Sequence, residues 1–249
     1  MANWQDPQTT GISAATVSVP RAARDVGLRS YMLSVYNYMA SGVLLTGIVA
    51  MLFANSSLIN LIVNPATGQA TPLFWVALFA PLGLVFWLSF AINRMSAGTA
   101  QAIFWVYAAL VGVSLSSIFL VYTSGSIVQT FFITAASFGA LSLYGYTTKR
   151  DLTAMGSFLI MGVFGIIIAS VINIFLHSLA LSFAVSALGV LIFSGLTAYD
   201  TQKIKEMYFE GDASDVAGRK AIMGALTLYL DFINMFVLLL QLFGQQREE

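Results

Sequence analysis

Cysteine is absent from the 249 residues, which excludes disulfides, thiolate metal sites and cysteine nucleophiles together. Histidine occurs once, at His177, and a single imidazole makes neither a zinc nor a haem site. Charge is scarce too: 11 basic and 11 acidic side chains make up 9% of the chain, against roughly 25% in soluble domains. The formal net charge is zero and no basic block of five or more residues occurs, so a nucleic-acid partner has no electrostatic footprint. There is no Walker A loop, and hence no sign of an ATP-driven pump.

What is present is apolar. Hydrophobic residues make up 58% of the chain and the mean hydropathy is +0.84. A water-soluble globule of this size needs more polar surface than 22 charges supply, so the solvent is lipid. Residues 1–30 lack the apolar stretch of a signal peptide and read as a flexible cytoplasmic tail. Residues 31–244 read as one membrane domain, and residues 245–249 as a short C-terminal tail.

A spanning helix needs about 20 apolar residues for a hydrocarbon core of about 30 Å. Seven segments meet that length: Ser34 to Ala54, Leu73 to Ile92, Ala102 to Val121, Ile127 to Tyr146, Met155 to Leu176, Leu179 to Tyr199 and Ile222 to Phe243. They are too long, and alternate too little, for barrel strands. The expected fold class is an all-α integral membrane protein. With the N-terminus inside, ten of the 11 basic residues fall in inside segments and only Arg247 outside, the bias expected of cytoplasmic loops. Small residues at helical spacing, such as Ala136 with Ala140 and Gly165 with Ala169, are expected to pack helices together. Trp75, Trp105, Tyr107, Tyr122 and Tyr146, near segment ends, are expected to be interfacial anchors.

The informative charges are those within the spans. Asp231 lies nine residues into the last segment, at about 13 Å depth. A carboxylate there costs at least about 2.5 to 3.5 kcal/mol on insertion scales, so it should face protein or water and have a partner. Thr227, Asp231, Asn234 and Gln241 fall on one side of the helix, a polar stripe opposite Phe232, Ile233, Phe236, Val237 and Leu240. Asp200 ends the sixth segment by hydropathy, but no helix breaker follows before Gly211 and Tyr208-Phe209 makes an interfacial marker. If the sixth helix continues through Lys205, Asp200 reaches the depth of Asp231 and the two can meet.

Tyr199-Asp200-Thr201-Gln202 and Leu228-Tyr229-Leu230-Asp231-Phe232-Ile233-Asn234, in the last two of seven spans, resemble the signatures of the Bax inhibitor family, also called transmembrane Bax-inhibitor-motif proteins. The resemblance implies a central seventh helix wrapped by the other six, and a bacterial inner-membrane protein. It also implies that Asp200 and Asp231 form a proton-sensitive pair in a calcium leak pathway, with Arg94 as a latch on one aspartate. Two carboxylates about 4 Å apart repel by roughly 4 kcal/mol at an effective dielectric of 20, so they do not both ionise in contact. One shared proton then holds the closed state, and its loss on raising pH separates the helices and leaves a doubly negative site for calcium. Asp200 and Asp231 would be transient ligands, with Asn234, Thr197 and Thr227 as supporting polar lining and water completing the six to eight oxygens calcium prefers. No bound cofactor is expected, and calcium enters as the permeant ion.

Enzyme readings have little support. His177 has no paired serine motif, and the last span has no lysine for a retinal Schiff base. The alternative from another class is a non-catalytic membrane protein that binds and modulates a membrane protease or other membrane partner, as the resemblance to bacterial relatives implies.

Overall fold

The computed structural model describes residues 21–247, apart from 66 and 68. Among the described residues eight α-helices follow one another: α1 Arg21–Ala54, α2 Pro72–Ala91, α3 Ala97–Leu115, α4 Ile118–Val121, α5 Ser124–Thr147, α6 Thr153–Leu176, α7 Leu179–Glu206 and α8 Ser214–Phe243. Among the described residues seven spans are long and apolar enough to cross a membrane, α3 and the short α4 together forming the third. This is an all-α integral membrane fold.

Hydropathy locates these helices but not their polar ends. Residues 21–30, read above as part of a flexible tail, are the opening turns of α1, and α8 begins at Ser214, eight residues before the apolar run. Backbone hydrogen bonding carries a helix beyond the lipid wherever no breaker intervenes, and Arg21 to Ser30 contains no proline. The rest of the expected tail, residues 1–20, lies outside the described residues. Between α3 and α4 the axis breaks at Ser116 and Ser117, whose hydroxyls bond back to the carbonyls of Val113 and Ser114 at 2.6 and 3.1 Å. Such back-bonding competes with the helical ladder.

The loops at 92–96, 148–152 and 207–213 share one end of the bundle with the start of α1, here termed the basic face. It is cross-linked by side chains of α7 and α8. Arg219 donates to the carbonyl of Met95 at 3.2 Å and pairs with Asp215 at 3.5 Å, while Asp215 accepts from the Ala97 amide at 2.8 Å. Gln202 donates to the Arg150 carbonyl at 2.8 Å and accepts from the Leu152 amide at 2.9 Å. Lys220 donates to Asp212 at 2.6 Å across the turn from α7 to α8. At the opposite face, Thr123 donates to the Gln245 carbonyl and Arg247 to the Val121 carbonyl, both at 2.9 Å. The last helix therefore runs from one face to the other. Residues 245–247, within the expected short C-terminal tail, pair with the turn before α5, and residues 248–249 lie outside the described residues.

Burial is uneven among the spans. In α8, 61% of an apolar 18-residue window is buried within the protein, whereas α6 buries only Gly156 and Ile166. α8 packs on α1, α3, α5 and α7, whereas α2 packs chiefly on α3 and α6 on α7. A ring of six helices directly about the last is thus replaced by four close neighbours and two peripheral helices. Close approach occurs where side chains are absent. A Cβ added at Gly145 would run into the Ala198 backbone, and one at Gly42 would meet Phe104 at 2.6 Å. Gly165, Ala136 and Ala140 instead face outwards, and a Cβ at Gly165 meets nothing within 4 Å, so these small residues do not pack helices together. Tyr107, expected at an interface, is 4% exposed and meets Tyr229 edge-on at 5.7 Å between ring centroids. Its hydroxyphenyl ring belongs to the core around α8.

Candidate functional site

α7 continues to Glu206, past the Lys205 that the reading of Asp200 required. Asp200 therefore lies inside a helix, seven residues or about 10 Å before Met207. Asp231 lies eleven residues, about 16 Å, beyond Lys220, whose ammonium donates to the Met207 carbonyl at 3.1 Å. The two carboxyl groups come within interaction range of each other between α7 and α8.

The pair is asymmetric. Asp231 is 4% exposed and its Oδ2 accepts no hydrogen bond among the described residues. Asp200 is half-buried and has Lys203 one turn further along α7 as its nearest cationic influence. The Lys203 ammonium lies 5.7 Å from the Tyr199 ring centroid. An unsatisfied buried carboxyl oxygen carries a desolvation cost of about 1 to 3 kcal/mol. A proton, a cation or water relieves that cost. Two hydrogen-bonded carboxyls also need one proton between them, because a carboxylate has no donor of its own.

The expected polar lining lies near the pair in sequence but does not bond to it. The Thr197 hydroxyl donates to the Phe193 carbonyl at 2.8 Å, Thr227 to Met223 at 3.1 Å, and the Asn234 amide to Leu230 at 2.8 Å. Each returns to its own helix, where the i−4 carbonyl is the nearest acceptor. Gln241, the end of the stripe, accepts from Ser186 on α7 at 2.9 Å. Arg94 makes no ion pair with either carboxyl group. It sits exposed after α2, on the turn Ile92–Arg94 at the basic face, where an arginine keeps its hydration.

Two features beside the pair were not assigned from sequence. The Tyr36 hydroxyl of α1 shares a 2.7 Å hydrogen bond with Ser142 of α5, which shares one of 2.9 Å with Thr201 of α7, next in sequence to Asp200. Thr201 also donates to the Thr197 carbonyl at 2.7 Å. Two residues before Asp231, the Tyr229 hydroxyl shares a 2.6 Å bond with Thr46, which donates to the Ala108 carbonyl at 2.8 Å. Thr201 and Tyr229 stand within the quoted motifs, but their partners on α1, α3 and α5 lie 59 or more positions away, beyond any local pattern.

Comparison with known proteins gives the family of the chain. Residues 28–248 match the family Bax1-I, described as inhibitor of apoptosis-promoting Bax1. The chain is 50% identical over 224 residues to RP147 of Rickettsia prowazekii, covering 90% of this chain and 93% of that one. It is 48% identical over 231 residues to the inner membrane protein YbhL of Escherichia coli K12, covering 92% and 95%. A protein of Caulobacter vibrioides is 49% identical over 232 residues, covering 90% and 92%. With its seven spans and its paired carboxyl groups between the last two, the chain belongs to the Bax inhibitor family.

Proposed function

We propose that this protein is a passive cation leak pathway of the bacterial inner membrane, closed by a proton shared between Asp200 and Asp231 and permeable to calcium when that proton leaves. The observation that carries the reading is the neighbouring pair of carboxyl groups whose buried member has an oxygen with no partner among the described residues. Intramembrane carboxylates that face one another are costly to keep unless they serve an ion or proton path. The printed name of the YbhL relative supports the inner membrane, and the basic loops support a cytoplasmic N-terminus.

In the closed state, one carboxyl group donates to the other and the helices stay together. Raising the pH removes the shared proton, and two carboxylates in contact repel by roughly 4 kcal/mol at an effective dielectric of 20. That repulsion drives α7 from α8, and the doubly negative site then attracts a divalent cation. Two aspartates hold only part of a calcium shell, so water completes it and the ion leaves readily. The two groups titrate as a unit.

Calcium influx into liposomes containing the purified protein, measured from pH 6 to 8, tests this reading. Influx is expected to rise with pH in the wild type and to lose its pH dependence in Asp200→Asn and Asp231→Asn. Absence of flux at every pH would refute the channel and favour a non-catalytic partner of another membrane protein, such as a membrane protease.

A further inference from the structure

A crevice of about 650 Å³ opens between α1 and α5, away from the carboxyl pair. The two helices both lean on α8 and are joined by the bond between Tyr36 and Ser142. They run in opposite directions, so Arg29 and Tyr146 lie together at the basic face while Ala40 and Phe138 lie deeper. From Arg29 to Ala40 the rise along α1 is about 16 Å, close to half of a hydrocarbon core of about 30 Å. The crevice therefore has the length of one leaflet.

Its lining changes in order with depth. A guanidinium stands at the mouth, the hydroxyls of Tyr36 and Ser142 follow, and Met39 and Phe138 form the apolar end. Leu33 and Leu143 on its rim are exposed, so the opening faces acyl chains and not water. Water gains little from an apolar recess of this kind, and an empty one forfeits the dispersion contacts of its walls. No acidic residue lines the crevice, and Arg29 makes no ion pair among the described residues. Lys149 and Arg150 are exposed just beyond Tyr146, and Lys205 donates to the Tyr146 carbonyl at 2.8 Å. The lining of the mouth thus carries positive charge and no negative charge.

The geometry points to this crevice as a binding site for one anionic glycerophospholipid of the leaflet at the basic face, its phosphate at Arg29 and an acyl chain running to Met39 and Phe138. Charge at the mouth selects the headgroup, since a basic residue near the membrane surface attracts anionic lipid. Apolar depth selects the chain. Through Ser142 and Thr201 the walls of the site connect to the turn of α7 that carries Asp200, so an occupant rests against the scaffold of the pair without touching it.

Native mass spectrometry of the full chain in detergent tests the site, with dioleoyl phosphatidylglycerol and dioleoyl phosphatidylcholine as probes of identical chain length. One retained lipid per chain is expected, with phosphatidylglycerol preferred roughly fivefold, the effect of one basic residue at the surface. Arg29→Gln should remove the preference and Arg29→Lys should restore it. Gly139→Phe should abolish retention of both lipids, since a Cβ at that position meets nothing within 4 Å and the ring can enter the crevice. Circular dichroism of each variant confirms that the helices persist. Equal retention of the two lipids, retention unaffected by Gly139→Phe, a second copy of the chain in place of lipid, or equal binding of water-soluble glycerol phosphate would each overturn the proposal. No ion flux is read, so the result is independent of the leak pathway.

Discussion

α6 and α8 reverse the order that water would impose. α6 is the most apolar of the described spans, yet only Gly156 and Ile166 of it are buried, whereas the less apolar α8 is buried over 61% of its window. Lipid solvates the isoleucines and phenylalanines of α6 as well as protein does, so nothing drives that helix inwards. Asp231 and Tyr229 on α8 have no such freedom, because lipid satisfies neither a carboxyl group nor a hydroxyl. In a bilayer, the core is marked by the groups that the solvent refuses, and the site lies where those groups collect.

The comparison breaks first through packing. Gly145→Leu drives a side chain into the Ala198 backbone between α5 and α7 and is expected to cost about 3 kcal/mol, seen as a lowered melting temperature in detergent. Gly165→Leu on the outward face of α6, where a Cβ meets nothing, is expected to be neutral or to stabilise by up to about 1 kcal/mol through helix propensity. Equal losses at the two glycines would contradict the division into buried and lipid-facing helices. A smaller effect belongs to Tyr229→Phe, which removes the bond to Thr46 while Thr46 keeps the Ala108 carbonyl. Its expected cost is about 1 kcal/mol by chemical denaturation, in line with hydrogen bonds between membrane helices. No loss at all would show that lipid-exposed and buried polar groups are equivalent here.

The smallest effect lies at the start of α6, outside the membrane. The Asp151 carboxylate accepts from the Thr153 amide at 2.8 Å, and its hydrogen bonds to Thr153 hold its pKa below the ordinary value. A lowered folded-state pKa means that its stabilisation is present above the unfolded value, near pH 4, and is lost as pH falls through the folded one. Asp151→Ala should therefore lower the melting temperature slightly at neutral pH and leave it unchanged at the acid end. A loss that grew on acidification would contradict this assignment.

Much of this was legible in the sequence, and the omissions have physical causes. Seven apolar runs locate seven spans, and the absence of a breaker after Asp200 foretells the extension of α7 through Lys205. Two carboxylates within the spans single themselves out by their cost in lipid. Helix ends beyond the bilayer leave no hydropathy signal, so the apolar runs begin later than α1 and α8 do. Residue size alone does not say which side of a helix meets protein, hence the outward Ala136, Ala140 and Gly165. Hydroxyls of Thr197 and Thr227 choose their own i−4 carbonyls over the pair, a choice set by rotamer and not by spacing. The bonds from Tyr36 to Ser142 and on to Thr201 join three helices, and only the folded bundle brings them together.

Separation of α7 from α8 is the central step of the account, and the lack of native cysteine makes it directly testable. Ser194 of α7 donates to the sulfur of Met235 of α8 at 3.5 Å, so cysteines placed at both positions face each other, and a short thiol-reactive crosslinker joined to each by a disulfide can tie the two helices near the pair. In liposomes at pH 8, the crosslinked Ser194→Cys/Met235→Cys protein should admit no calcium, and reductive release of the crosslinker should restore influx to the level of the unbridged protein. Full influx with the bridge verified as closed would contradict gating by helix separation.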